Sequence, residues 1–153
     1  MDGTSGDGFV TLADGTLRWG RFGAAGVLLR HHDARGEVAV FVARRSMYTH
    51  QGGTWAIPGG ALHRGEQPLD AALREFAEEI GVAVGEHTVV QVHEDDHGGW
   101  SYWTHLLDIA DRFVCPDVLG WETAEARWVR ASELADLPLF DAFRATLVQL
   151  GLL

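Results

Sequence analysis

The chain contains no lysine, no asparagine and a single cysteine among its 153 residues. Without lysine it can form neither a Gly-Lys phosphate-binding loop nor a Schiff base, and it lacks the nucleotide-binding lysine of protein kinases. The lone Cys115 cannot form an intramolecular disulfide, so we expect a reducing, cytoplasmic location. No apolar run approaches the ~20 residues of a membrane-spanning helix, and residues 1–6 lack the basic and apolar regions of a secretory signal, so no membrane contact is expected.

Positive charge is also scarce. All 12 basic residues are arginine, and they stand against 22 acidic residues, which gives a formal net charge of −10. A protein that binds long nucleic acids needs a basic surface, so a nucleic-acid polymer is not an expected partner. Clustered carboxylates can instead hold a divalent cation that recruits an anionic small molecule. The length and composition predict a single domain over residues 1–153, with the Gly- and Asp-rich residues 1–7 flexible.

Hydrophobic periodicity and turn residues predict strands on both sides of one strong helix. The predicted elements are a hairpin over 9–19, strands at 24–30, 38–43, 54–57, 89–92, 100–109 and 126–129, and helices at 67–80 and 140–150. Ser132 is expected to cap a short helical turn, and the acidic run 93–97 to form a solvated hairpin. Trp100 and Tyr102 share one strand face, which either packs inside or stacks on a nucleobase. This order predicts a mixed α/β domain of the α+β kind.

The helix predicted over 67–80 carries an unusual charge pattern. Glu75, Glu78 and Glu79 stand at i, i+3 and i+4, so their carboxylates share one face, away from the apolar face. They repel one another and lie near the helix C-terminus, where the macrodipole disfavours anions. A divalent cation would relieve both penalties, and oxygen ligands select Mg²⁺ or Mn²⁺. The alternative is a solvated acidic face that Arg74 partly neutralises.

A longer pattern surrounds this helix from Gly60 to Val82. It reads Gly60, five residues, Glu66, seven residues, Arg74-Glu75-Phe76, one residue, Glu78-Glu79, one residue, Gly81 and Val82. This spacing resembles the signature of the Nudix hydrolase family, with Phe76 where an aliphatic residue is more usual. The resemblance implies a single Nudix domain, whose fold is a mixed β-sheet sandwiched between helices.

The resemblance also implies a metal site and its chemistry. The implied cofactor is Mg²⁺, with Mn²⁺ as a substitute, and the implied ligands are the Gly60 carbonyl and the carboxylates of Glu75, Glu78 and Glu79. Arg74 and Glu66 are implied to orient those carboxylates. Family members hydrolyse a nucleoside diphosphate linked to another group, by attack of water on phosphorus.

The residue that accepts the proton from the attacking water is left open. Glu75 or Glu79 could accept it directly, or a glutamate on a later loop could do so. Of the two loop candidates, Glu122 and Glu125, we favour Glu122 because it stands six residues before Trp128, as the matching glutamate does in MutT-type members. The alternative is that Glu122 is a solvated loop residue.

The segment before the signature resembles that of the MutT-like subgroup, which acts on nucleoside triphosphates. Its second arginine implies that Arg45 contacts substrate phosphate, and His50 in the following loop is expected to approach the phosphates. The leading interpretation is therefore cleavage of a (d)NTP to (d)NMP and pyrophosphate. The absence of asparagine argues against an oxidised-guanine substrate, since MutT recognises that base with an asparagine.

Other functions stay open at this point. ADP-ribose or a nucleotide sugar would use the same carboxylates with a different leaving group. A nucleotide-binding module without catalysis is less favoured, because Glu75, Glu78 and Glu79 are all intact. Isomerase chemistry on isopentenyl diphosphate is disfavoured by the short chain and the ordinary surroundings of Cys115. Because family members often dimerise, a homodimer is also open.

Overall fold

Nine strands and two α-helices make up residues 5–153, the part of the chain that the computed structural model describes. The strands are β1 (Phe9–Thr11), β2 (Leu17–Trp19), β3 (Ala24–His32), β4 (Val38–Arg45), β5 (Trp55–Ala56), β6 (Gly59–Ala61), β7 (His87–Asp96), β8 (Ser101–Ile109) and β9 (Thr123–Arg130). The helices are α1 (Pro68–Ile80) and α2 (Asp141–Gln149), and a 3₁₀ helix (Ala131–Asp136) precedes α2. None of the helices described in residues 5–153 is long and apolar enough to cross a membrane.

Seven of the strands form one mixed sheet. Its central order is β5-β4-β3-β8-β7, β6 pairs with β3, and β9 pairs with β4. The β3–β8 pair is parallel, whereas the other pairs of this sheet are antiparallel. The hairpin β1–β2 forms a separate two-stranded sheet.

Both faces of this sheet are covered, which explains the continuous apolar runs of β3 and β4. Successive residues point to opposite faces, so Val27 packs with the α1 side and Leu28 with the α2 side. On the α1 side the fully buried Phe76 contacts Phe41, with ring centroids 5.8 Å apart. The predicted sheet between helices is therefore confirmed.

Helix α1 ends where the sequence predicts. Gly81 takes a left-handed conformation with φ of 83°, and its N–H donates to the Ala77 carbonyl. A left-handed residue is strained unless it is glycine, so Gly81 gives the helix a clean end. That end places the last turn of α1, with its two glutamates, against β6 and the start of β9.

Some predicted boundaries were wrong. The strand predicted over 89–92 is longer in the structure, since β7 continues through residues 93–96, which pair with β8 from Thr104 to Ser101. The hairpin expected at 93–97 is present, and its turn closes at residues 97–100, where the His97 N–H donates to the Trp100 carbonyl at 2.8 Å. Ser132 does not cap a helix, since the 3₁₀ helix begins at Ala131 without a side-chain cap.

The N-terminal prediction can be followed only in part. Residues 1–4 of the segment 1–7 that was expected to be flexible lie outside the described residues. Within the remainder, Gly6 is buried and its carbonyl accepts a hydrogen bond from the Arg21 N–H at 2.7 Å. The Arg21 guanidinium also donates to the Ser5 carbonyl, so residues 5 and 6 are tied to the body of the protein.

Replacement of Phe76 tests how far the helix depends on this aromatic core. Phe76→Ala should lower the free energy of unfolding by about 3–5 kcal/mol, because it removes a fully buried ring and leaves a cavity. Denaturant titration measures the change. Val148→Ala on α2 serves as a control, because Val148 is 54% exposed and should change stability by less than about 0.5 kcal/mol. Equal stability of the two variants would contradict this account.

Candidate active site

The carboxylate of Glu79 is held where α1, β6 and β9 meet. Its Oε1 accepts a hydrogen bond from the Thr123 hydroxyl at 2.5 Å, and its Oε2 accepts one from the Gly59 N–H at 3.4 Å. The Glu79 carbonyl accepts a further bond from the Gly120 N–H at 3.1 Å. The side chain is thus oriented by segments that lie 20 and 44 residues away in the sequence.

The carboxylate of Glu75 lies directly against the backbone of Gly60. A side chain at Gly60 would overlap this carboxylate, so only glycine permits the approach. Glu75 Oε1 also accepts a hydrogen bond from Arg74 Nη1 at 3.0 Å. The Glu75 carboxylate therefore lies beside the Gly60 main chain, and carboxylates and main-chain carbonyls are both oxygen ligands for Mg²⁺.

Arg74 connects the loop before α1 to the carboxylates on α1. Its Nε and Nη2 donate to the two oxygens of Glu66 at 3.0 and 2.9 Å, and Nη2 also donates to the Ala61 carbonyl. The hydrogen bonds from Arg74 hold the pKa of the Glu66 carboxyl below its usual range. Nη1 reaches Glu75 and, at 3.4 Å, Glu78. Arg74 therefore holds the loop and the helix carboxylates together, and does not only neutralise the charge of a solvated helix face.

The site carries more negative charge than its arginines neutralise. Burial raises the pKa of Glu79 to about 7, against the hydrogen bond from Thr123, and the charges of Glu122 and Glu75 add to the rise. Burial also raises the pKa of Glu75, where Arg74 opposes the effect and Glu78 and Glu122 add to it. Crowded, half-buried carboxylates with raised pKa values are typical of a cation site or a general base.

The carboxylates of the cluster do not converge on one point. Glu78 is 60% exposed, and Glu122 is exposed at the mouth of the cleft. Within residues 5–153, no three His, Cys, Asp or Glu side chains are already arranged to hold an ion. A cation held by Glu75 and Glu79 would therefore take its remaining ligands from water or from Glu78 and Glu122.

Arg45 lies at the same cleft, at the end of β4. Its Nε donates to the His50 carbonyl at 2.8 Å, and its guanidinium lies 4.7 Å from the centre of the Phe140 ring. Burial lowers the pKa of Arg45, while the nearby charges of Glu122 and Glu79 raise it. From the sequence, both Arg45 and His50 were expected to contact substrate. In the structure, the His50 carbonyl accepts the hydrogen bond that orients the Arg45 side chain.

The two loop glutamates differ in their surroundings. The Glu122 carbonyl accepts a hydrogen bond from the Ser46 N–H at 2.8 Å, and its carboxylate acts electrostatically on Glu75 and Glu79. Glu125 instead forms an ion pair with Arg44 at 3.3 Å. The structure thus brings Glu122 to the cleft and pairs Glu125 elsewhere.

Several residues of the cleft were missed from the sequence. Thr123 and Gly59 orient Glu79, but neither belongs to the glutamate spacing on α1 or to the pattern from Gly60 to Val82. The hydroxyl of Tyr102 lies over the backbone of Gly59, within the electrostatic reach of Glu79. Trp100 is not a free platform for a nucleobase, because its indole N–H donates to the carbonyls of residues 19 and 20.

The raised pKa of Glu79 predicts a cost in stability without metal. A carboxyl whose pKa rises from 4.5 to about 7 on folding binds more protons when folded, so stability falls as the pH rises through that window. At pH 8 the cost is about 3 kcal/mol. Glu79→Gln should avoid most of it and, in EDTA, raise the unfolding temperature by roughly 5–10 °C at pH 8, with little change at pH 4.5.

Thermal unfolding followed by circular dichroism measures this difference. Glu86→Gln is the matched control, because Glu86 is exposed and lies outside the cluster. Equal unfolding temperatures of wild type and Glu79→Gln at pH 8 would contradict the burial of a charged carboxylate.

Comparison with known proteins adds three findings. A model of the NUDIX domain matches residues 20–150. "Putative 8-oxo-dGTP diphosphatase 3" of Mycobacterium tuberculosis is 41% identical over 149 aligned positions, which cover 92% of this chain and 67% of that protein. The 8-oxo-dGTP diphosphatase of Proteus vulgaris is 41% identical over 73 positions, which cover 48% of this chain and 61% of that protein.

A solved structure is similar over nearly the whole chain. The crystal structure of RenU, a Nudix hydrolase from M. smegmatis, superposes with a TM-score of 0.84 at 40% sequence identity. The superposition covers 95% of this chain and 92% of that one. The element order and the covered sheet described above are therefore shared with a solved hydrolase.

Proposed function

The chain belongs to the Nudix hydrolase family, and we propose that it is a Mg²⁺-dependent pyrophosphohydrolase that cuts a nucleoside triphosphate to the monophosphate and pyrophosphate. The family membership predicted from the spacing between Gly60 and Val82 is confirmed by the domain match over residues 20–150. One observation carries the proposal. The half-buried carboxylates of Glu75 and Glu79 act electrostatically on each other, and Glu79 acts on Arg45, so groups suited to a cation and to phosphate lie close together.

The donor set fits a hard divalent cation. The carboxylates of Glu75 and Glu79 and the Gly60 carbonyl would hold it, with Glu78 or Glu122 completing the set. Bound there, Mg²⁺ or its substitute Mn²⁺ supplies positive charge to the phosphate oxygens and lowers the pKa of water. The fit rests on the closeness of Gly60 to Glu75 and on the excess negative charge of the cleft.

Arg45 is proposed to bind the phosphates of the substrate. Its Nε donates to the His50 carbonyl, so the two Nη groups are the donors that would contact substrate. A planar guanidinium matches two phosphoryl oxygens at once, which a point charge does not. Phe140 supports the flat face of the guanidinium at 4.7 Å, so Arg45 is held ready before substrate arrives.

Glu122 is proposed as the general base. A water oxygen attacks phosphorus, the bond from phosphorus to the pyrophosphate oxygen breaks, and the proton of the water passes to the Glu122 carboxylate. Glu122 is exposed at the mouth of the cleft, where water reaches it, whereas Glu79 is enclosed by Thr123 and Gly59. Arg74 holds Glu75 in place through its paired bonds to Glu66.

The triphosphate substrate is supported by the names of the relatives. Proteins 41% identical in their aligned regions are named 8-oxo-dGTP diphosphatases, although this chain spans only 67% and 61% of their lengths. Dissolved nucleotides are cytoplasmic metabolites, and the lone Cys115 suits that location. The homodimer open from the sequence stays a prediction.

A substrate panel tests the proposal. The enzyme is incubated with canonical and oxidised dNTPs, ADP-ribose, nucleotide sugars and dinucleotide polyphosphates, in Mg²⁺ and in EDTA. We expect metal-dependent release of pyrophosphate from triphosphates, 8-oxo-dGTP included. Turnover of ADP-ribose or sugar nucleotides alone would keep the mechanism and overturn the substrate. Binding without any turnover would favour the non-catalytic module.

Two substitutions separate catalysis from binding. Glu79→Gln should lower kcat by roughly 10²- to 10⁴-fold, since it removes a charge that acts on the transition state. Arg45→Ala should mainly raise KM for the triphosphate. Arg144→Ala is the matched control, because Arg144 is exposed on α2. A loss under tenfold for Glu79→Gln, or an unchanged KM for Arg45→Ala, would contradict the assigned role.

A further inference from the structure

We propose that Tyr102 is a substrate-binding residue whose hydroxyl donates a hydrogen bond to a phosphoryl oxygen of the nucleotide. The inference rests on the proposed function, because it assigns a further contact in the same cleft. Tyr102 lies on β8 and pairs with Ala24 of β3 and Asp95 of β7. From the sequence, its strand face was expected either to pack inside or to stack on a base.

The backbone leaves a space that fits the hydroxyl. Gly26 of β3 and Gly59 of β6 stand opposite each other in the sheet. The Tyr102 hydroxyl lies over this pair, and a Cβ at either glycine would overlap it. Two facing residues without side chains thus let the phenol reach across β3 to the segment that carries the Gly59 N–H and the Gly60 carbonyl.

The hydroxyl is a donor that the described part of the protein leaves available. Across residues 5–153, no hydrogen bond joins it to another group, and Tyr102 is only partly buried, so the hydroxyl is not shut off from water. Water that satisfies such a donor can be exchanged for the acceptor of a ligand. A phosphoryl oxygen bound in the cleft can therefore accept the hydrogen bond.

The surrounding charges favour phosphate as that acceptor. The charged groups that act on the hydroxyl are Glu79, Glu75 and Arg45, the same groups that would hold the cation and the phosphates. A phenol has an ordinary pKa of about 10, so it is a neutral donor at physiological pH and adds no charge to a crowded site. The triphosphate is the part of the substrate that these groups contact.

The chain offers a clean test because it contains two tyrosines. Tyr102→Phe removes only the hydroxyl and keeps the ring, while Tyr48→Phe is the matched control, since Tyr48 is 93% exposed. Tyr102→Phe should raise KM for the triphosphate by about tenfold, the usual effect of losing a hydrogen bond to a charged group. It should leave kcat within about twofold and the unfolding temperature unchanged, which a purely structural role would not do.

Inorganic tripolyphosphate separates phosphate from base contacts. Its dissociation constant is measured by calorimetry in Mg²⁺ for wild type and both variants, so the result does not depend on turnover. Tyr102→Phe should weaken this binding by about the same factor as it raises KM, and Tyr48→Phe should not change it.

The possible results decide between the two proposals. A Tyr102→Phe variant that matches wild type in both KM and tripolyphosphate binding would overturn the inference. So would a raised KM with unchanged tripolyphosphate binding, since the contact would then be to the sugar or base, and so would a wild type that does not bind tripolyphosphate. A wild type that binds tripolyphosphate but hydrolyses nothing would overturn the proposed activity alone.

Discussion

The paired hydrogen bonds between Arg74 and Glu66 are the interaction on which the site depends. They join the loop after β6 to the middle of α1, and the same guanidinium reaches the Ala61 carbonyl and the Glu75 carboxylate. An arginine–carboxylate pair with two parallel bonds fixes direction as well as distance. The position of Glu75 against Gly60 follows from this pair, because the loop and the helix cannot shift independently.

A second constraint is electrostatic. Glu75 and Glu79 are taken partly out of water beside Glu122, although like charges repel and burial penalises each of them. The fold tolerates this because the sheet and the helix are stabilised elsewhere, by an apolar core on each face. Burial of the Glu79 carboxylate beside like charges therefore lowers stability, and such unfavourable arrangements are common at functional sites.

The covered sheet explains how distant residues meet. β4 lies beside β9 and β5, so Arg45, at the end of β4, comes next to Thr123 and the Glu122 loop. β3 lies between β6 and β8, which brings Gly59 beneath the Tyr102 hydroxyl. Arg45, Glu79, Tyr102 and Glu122 come from four separate segments, and the strand order together with the packing of α1 on the sheet places them around one cleft.

Helix α1, its end at Gly81, its run of carboxylates and the family resemblance could be predicted from the sequence, because these depend on the helical period and on short spacings. The sheet covered on both faces was implied by the family resemblance, and the apolar runs over residues 24–29 of β3 and 38–43 of β4 agree with it. Three features could not be predicted: β7 continues through residues 93–96, Ser132 is not a cap, and Thr123 and Tyr102 reach the cleft. Those outcomes depend on pairing and packing with strands far away in the chain, which no local pattern encodes.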